Sequence, residues 1–150
     1  MGMTRSSSPA EELARSVWRA MFGVLIRTAP VRTTSLARRG LTPNDSRALF
    51  SLDAGAGRPM RALADEWECD PSNATWNINR LEELGLARRQ PLPHDRRVKL
   101  VKLTRKGQKA RAELLDEFHE PPPEFDRLDR ADLEVLARVL AKLTPSSTAP

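Results

Sequence analysis

Residues 60–86 read MRALADEWECDPSNATWNINRLEELGL. Ala62, Leu63 and Trp67 mark a short helix over about 61–67, and Glu68-Cys69-Asp70 lead into a second over about 71–84, with Asp70 as cap and Pro71 in its first turn. At about 100° per residue, Ala74, Ile78, Leu81 and Gly85 cluster within roughly 40° of one line. Ser72, Trp76, Asn79, Arg80 and Glu83 lie on the opposite side. One face packs and the other is left for a partner. A major groove admits one helix, and hydroxyl, amide and guanidinium groups near its N-terminal half can pair with base edges. The free amides of the helix N-terminus also point toward phosphate.

Downstream the periodicity changes. Leu86 to Gln90 and Val98 to Leu103 are short, partly β-branched runs around Pro91-Leu92-Pro93-His94-Asp95-Arg96-Arg97, the pattern of a hairpin with a long, proline-stiffened, protruding loop. Upstream, Ser8-Pro9-Ala10-Glu11 and Thr42-Pro43-Asn44-Asp45 each combine a capping hydroxyl, a proline in the first turn and an acid at the third position. After the first of these, Leu13, Val17, Ala20/Met21 and Val24 form an amphipathic stripe predicting a helix over about 9–28 that Pro30 ends. A short helix over about 32–39 stops at Gly40. A third starts at Pro43, carries Ala48, Leu49 and Leu52, and is broken by Gly55-Ala56-Gly57.

Beyond the hairpin, Ala110, Leu114, Leu115 and Phe118 predict a helix over about 105–120, ended by Pro121-Pro122-Pro123. Asp129 starts a last helix over about 130–143, with Leu133, Leu136, Leu140 and Leu143 at helical spacing. Residues 1–8 and 144–150 have the composition of disordered tails. The expected fold is mainly α with a small β-hairpin wing, a winged helix-turn-helix lobe over 41–104. Helices over 9–40 and 105–143 form the dimerisation layer of an obligate-type dimer, because a lone chain would leave their apolar stripes uncovered and each such side chain gains about 1.5–3 kcal/mol on burial.

Charge supports a nucleic-acid partner by its location. Residues 58–111 carry 13 Arg and Lys against 7 Asp and Glu, whereas residues 112–150 carry 4 against 9, in a chain of net charge +5. A basic segment beside an acidic one is the footprint of a phosphate-contacting surface, since Lys and Arg displace condensed counterions. A solvated basic face gives the same count, so charge alone leaves both open. No stretch reaches the roughly 18 apolar residues of a membrane span, and MGMTRSSSPAEE lacks the apolar core of a signal peptide, so a cytoplasmic location with no membrane partner is expected. The single cysteine, Cys69, excludes an intrachain disulfide framework.

The runs LADEWECDPSNATWNINRLEELGLARR (63–89) and PLPHDRRVKLVKLTRKG (91–107) resemble the MarR family of winged helix-turn-helix transcriptional regulators. The shared features are Leu-Ala in the first helix, an Asp cap on the second, a closing Arg-Leu-Glu-Glu-x-Gly-Leu, an Asp-x-Arg wing and Leu-Thr-x-x-Gly opening the next helix. The likeness is tight over about 42–110. It implies a homodimer on a pseudo-palindromic double-stranded DNA site, acting as a repressor released by a small aromatic or phenolic ligand. By position it puts recognition-helix contacts on Ser72, Asn73, Thr75, Trp76, Asn77 and Arg80. It puts the minor-groove wing arginine at Arg97, with Arg96 beside it and Asp95 orienting it by a charge-assisted bond. Arg88, Arg89, Lys99, Lys102 and Lys106 would contact the DNA backbone. Asn77 stands where the family usually has an apolar residue. Trp76 either touches a thymine methyl or sugar, or packs between its helix and the wing.

The resemblance also implies an effector pocket between the terminal helices and the DNA-binding lobe. Trp18 and Phe22, with Met21 and Leu25, could line it and Arg15 and Arg19 could pair with an anionic ligand; plain dimer packing explains the same residues. Cys69 reads as a core side chain rather than a redox sensor, because the chain has no tyrosine to assist such chemistry. His94, Asp95 and His119 make no metal first shell, no nucleophile has a partnered base, and neither a cofactor nor an enzymatic activity is expected. Two rivals to a specific regulator remain at this stage: a non-specific or architectural DNA binder, and a winged helix used for protein contacts.

Overall fold

The computed structural model describes residues 8–52, 55–92 and 94–143. Among them six α-helices, one 3-10 turn and a three-stranded antiparallel sheet follow the order expected of a mainly helical winged fold. The tails expected at 1–8 and 144–150 lie outside the described residues, except for Ser8.

Helix α1 spans Pro9–Ala37 and starts at the expected capping box: Ser8 Oγ accepts from Glu11 N–H, and Glu11 Oε2 accepts from Ser8 N–H. It then runs through Pro30, so the two helices expected over 9–28 and 32–39 are one. A mid-helix proline removes the donor to the carbonyl four residues back and crowds it, at about 3 kcal/mol. Polar side chains work at the carbonyls beside the break. Thr28 Oγ1 donates to Val24 O at 2.9 Å, and Arg32 reaches back to Leu25 O and to Thr28 Oγ1, each at 2.9 Å. Beyond the proline, burial of Ser35 and Leu36 anchors the last turns on the lobe.

Helix α2 (Pro43–Ser51) opens on its capping box, Thr42 Oγ1 with Asp45 N–H and Asp45 Oδ2 with Thr42 N–H. It stops short of the glycines because Leu52 turns extended and buries its side chain. Strand β1 (Arg58–Pro59) follows, then α3 (Met60–Glu66) and α4 (Pro71–Glu83) around the expected tight turn. Strand β1 was not anticipated. Its two residues carry no alternation, and only their pairing with Val101 and Leu100 makes them a strand.

Strands β2 (Ala87–Leu92) and β3 (Asp95–Leu103) complete the sheet in the order β1-β3-β2. They are longer than expected. Pro91 is tolerated because β2 is an edge strand, and Asp95-Arg96-Arg97 begin β3 instead of filling a long loop. Helices α5 (Arg105–His119) and α6 (Arg130–Leu140) follow, separated by a 3-10 turn at Pro123–Arg127; α6 ends three residues before the expected boundary. The core lies in the winged lobe, where Leu49, Leu63, Ile78, Leu81, Val101 and Leu114 are fully buried. Every residue of α6 is exposed, and so are Leu13, Val17, Trp18, Phe22, Leu25 and Ile26 of α1.

Two glycines fix how the lobe closes. Gly85, expected on the packed face of α4, is instead exposed at φ 71°, where Gly85 N–H bonds Glu82 O and Leu86 N–H bonds Leu81 O. This is a helix stop that needs the left-handed region. A Cβ on Gly107 would sit 1.9 Å from the Leu86 carbonyl oxygen. Its absence lets α5 begin against the turn that ends α4, and Thr104 secures the junction by accepting from Gly107 N–H and donating to Gly85 O.

Candidate nucleic-acid interface

Helix α4 presents the two faces its sequence requires. Ala74, Ile78 and Leu81 are fully buried, while Ser72, Asn73, Thr75, Trp76 and Asn79 are exposed. Asp70 has the extended backbone of a cap, but its carboxylate makes no capping bond. Thr75 Oγ1 donates to Pro71 O at 2.8 Å. Trp76 is 59% exposed, and it lines a shallow groove between α2 and α4 with Asn44, Arg47, Asn73 and Asn77. It does not pack between α4 and the wing. Asn77 is half-buried, at the margin of the packed face. Arg80 points differently from the other candidates: Nη2 donates to Gly40 O at 3.2 Å, and Nε lies 3.6 Å from Asp45 Oδ2.

In the wing, Arg97 is exposed near the start of β3. Asp95 Oδ1 accepts from the Arg97 backbone N–H at 2.9 Å, so it shapes the main chain and makes no bond to the guanidinium. Arg96 lies in β3 beside it. Arg88 stands directly opposite Lys102 across the ladder, and Lys99 is exposed nearby. Like charges facing across a strand pair destabilise it, and an anionic partner removes that repulsion. Arg89 does otherwise. Its guanidinium is ion-paired with Glu82, its backbone N–H donates to Glu82 Oε1 at 2.8 Å, and Nη2 reaches Thr75 O, so it ties the wing to α4. Lys106 Nζ donates to Leu84 O at the end of α4.

A cluster at the junction of α1 and α5 has no signal in the sequence. Ser35 Oγ, Arg38 Nη2 and both terminal nitrogens of Arg39 converge on the Glu117 carboxylate, the shortest arginine contact being 2.6 Å. Hydrogen bonds from Arg39 and then Ser35 hold the Glu117 carboxyl down at about 2, and the same contact raises Arg39. These partners lie some 80 residues apart. Only the fold brings them together.

The residues expected to line an effector pocket do not enclose one. Trp18, 60% exposed, and Phe22 face each other with ring centroids 6.5 Å apart on the open side of α1, and Arg15 and Arg19 are exposed there. The larger cleft of this region, ≈ 670 Å³, lies further along, between Arg27 and Val31 of α1, Phe118 of α5 and Pro122 to Arg127. Cys69 is half-buried against the core, and no group of three or more metal-ligating side chains occurs among the described residues.

The arrangement of a buried-faced α4, a preceding α3, a β-ribbon wing and flanking helices can be compared with known proteins. The MarR family model matches residues 39–98. Over that stretch the chain is similar to the MarR family. Solved structures extend the likeness of fold to most of the chain. The YusO protein of Bacillus subtilis superposes with a TM-score of 0.74 at 24% identity, covering 93% of this chain and 100% of its own. The apo form of MarR from E. coli gives 0.70 at 22% identity, with 85% and 95% covered. MepR of S. aureus, solved in a complex with DNA, gives 0.59 at 18% identity, with 86% and 99% covered. No curated protein sequence matches the chain significantly. Among the described residues no helix is long and apolar enough to cross a membrane.

Proposed function

We propose that this chain is a MarR-family, sequence-specific, double-stranded DNA-binding regulator that acts as a homodimer and represses transcription until a small aromatic or phenolic ligand releases it. The observation that carries the DNA reading is the exposed polar face of α4, held over a fully buried apolar face and flanked by the basic wing. In this reading Ser72, Asn73, Thr75 and Trp76 enter the major groove with Asn77 at the edge. Arg97, with Arg96, enters the adjacent minor groove, where negative potential is concentrated. Arg88, Lys99 and Lys102 contact phosphates and set the register. The DNA complex of MepR and the multiple antibiotic-resistance repressor of Listeria monocytogenes, both similar in fold, support the assignment. Two lobes related by a two-fold axis reach successive major grooves, so the site is pseudo-palindromic with half-sites about one turn apart. Release requires the ligand to prefer the spacing of lobes that does not bind.

A footprint on DNA flanking the chain's own gene tests this, repeated with candidate aromatic acids. The expected result is a protected pseudo-palindrome that survives competitor DNA at moderate salt and is lost when the effective acid is added. Protection that competitor erases marks a non-specific binder, and no protection at low salt marks a protein-contact module.

A further inference from the structure

Arg80 sits on the recognition helix, three residues before its end, yet its guanidinium is turned toward the rest of the lobe. We infer that Arg80 is a positioning residue that neutralises the buried Asp45 and fixes α4 against α2, and that Asn79 beside it reads a base edge instead. The inference rests on the DNA reading above and deepens it.

Asp45 is the starting point. Its residue is 0% exposed, its Oδ2 accepts from Thr42 N–H at 2.8 Å, and its Oδ1 has no hydrogen-bond partner. A fully buried carboxylate with one bare oxygen needs a counter-charge, because burying an unpaired ion is costly. Among the described residues the cation within 4.0 Å of it is Arg80, at 3.6 Å. The same guanidinium donates to Gly40 O, in the turn between α1 and α2. One side chain therefore links the reading helix to the start of α2 and to the end of α1. To read guanine bidentately it would have to leave this seat and strip a buried carboxylate of its cation, which costs more than one bidentate base contact returns.

Asn79 has the opposite surroundings. It is exposed, and no side-chain hydrogen bond engages it among the described residues. At about 100° per residue it lies roughly 20° from Ser72 around the helix, inside the stripe that also holds Thr75 and Trp76. An asparagine so placed can pair bidentately with adenine N6 and N7.

The test selects preferred sites from a pool of randomised duplexes with the wild-type chain and with Arg80→Lys, Arg80→Ala, Asp45→Asn, the Arg80→Ala/Asp45→Asn double variant and Asn79→Ala. Affinity for the selected wild-type site is measured alongside. Arg80→Lys keeps a charge near Asp45 without the fork, and it guards against a folding defect in Arg80→Ala. The expected result is that both Arg80 variants keep the wild-type base profile, with Arg80→Ala weakening every site by a common factor of about tenfold. Asp45→Asn weakens sites in the same uniform way, and the double variant adds little. Asn79→Ala loses about tenfold of discrimination at one base pair in each half-site. If either Arg80 variant lost preference at a single base pair while Asn79→Ala kept the full profile, the inference would be overturned. A wild-type chain that selects nothing would instead overturn the DNA reading beneath it, and the inference with it.

Discussion

At Gly107 a single hydrogen decides whether α5 can begin where it does. Alanine there would place a Cβ 1.9 Å from the Leu86 carbonyl oxygen, a backbone atom that cannot swing aside. Gly107→Ala is expected to cost about 2 kcal/mol or more, the scale of overpacking and forced backbone shifts, and urea unfolding followed by circular dichroism would show it. Unchanged stability would mean that the junction is looser than its geometry. This residue also shows what sequence can and cannot carry. Leu-Thr-x-x-Gly was legible as a motif from its letters. Its reason was not, because the clash involves a backbone oxygen 21 positions earlier. Gly85 taught the same lesson in reverse: a wheel placed it on the packed face, whereas the end of the helix turned it out. Arg80 and Arg89 read as DNA contacts by position, yet their partners Asp45, Gly40, Glu82 and Thr75 come from tertiary structure.

Among the elements, caps and periodicity located α2, α3, α4, α5 and the beginnings of α1 and α6. They failed where local rules are overridden: α1 runs through Pro30, with its last turns anchored by the burial of Ser35 and Leu36, and β1 is too short to show a pattern. The join between α1 and α5 depends on Glu117, whose carboxyl is held at about 2 against an ordinary 4.5 by Arg39 and Ser35. A depressed carboxyl stabilises the fold fully above its unfolded value and loses that contribution as pH falls through the folded one. Stability of the wild-type chain is therefore expected to decline, on account of Glu117, as pH drops from 4.5 toward about 2. Glu117→Gln is expected to be less stable at neutral pH and to lack this share of the decline. Denaturant melts across that range would read the difference between the two curves, and parallel curves would show that the cluster contributes nothing to folding.

The whole molecule has one well-packed lobe and two long apolar faces on helices that pack little within the chain. Val17, Phe22 and Leu25 on α1 and Leu133, Leu136 and Leu140 on α6 are all exposed in the single chain. Their burial in a two-fold partner would contribute about 1.5–3 kcal/mol per side chain. Leu136→Glu with Leu140→Glu is expected to turn the proposed dimer into monomers in sedimentation experiments, with the winged lobe still folded; a dimer that survives both charges would place the interface elsewhere. DNA reading, the central claim, is tested most directly by titrating the footprinted site and a scrambled duplex of equal length over a range of salt. Wild-type protein is expected to bind its own site at least about a thousandfold more tightly than the scrambled one at physiological salt, with Trp76→Ala and Arg97→Ala each narrowing that ratio. Equal affinity for both duplexes, falling in parallel with salt, would contradict it.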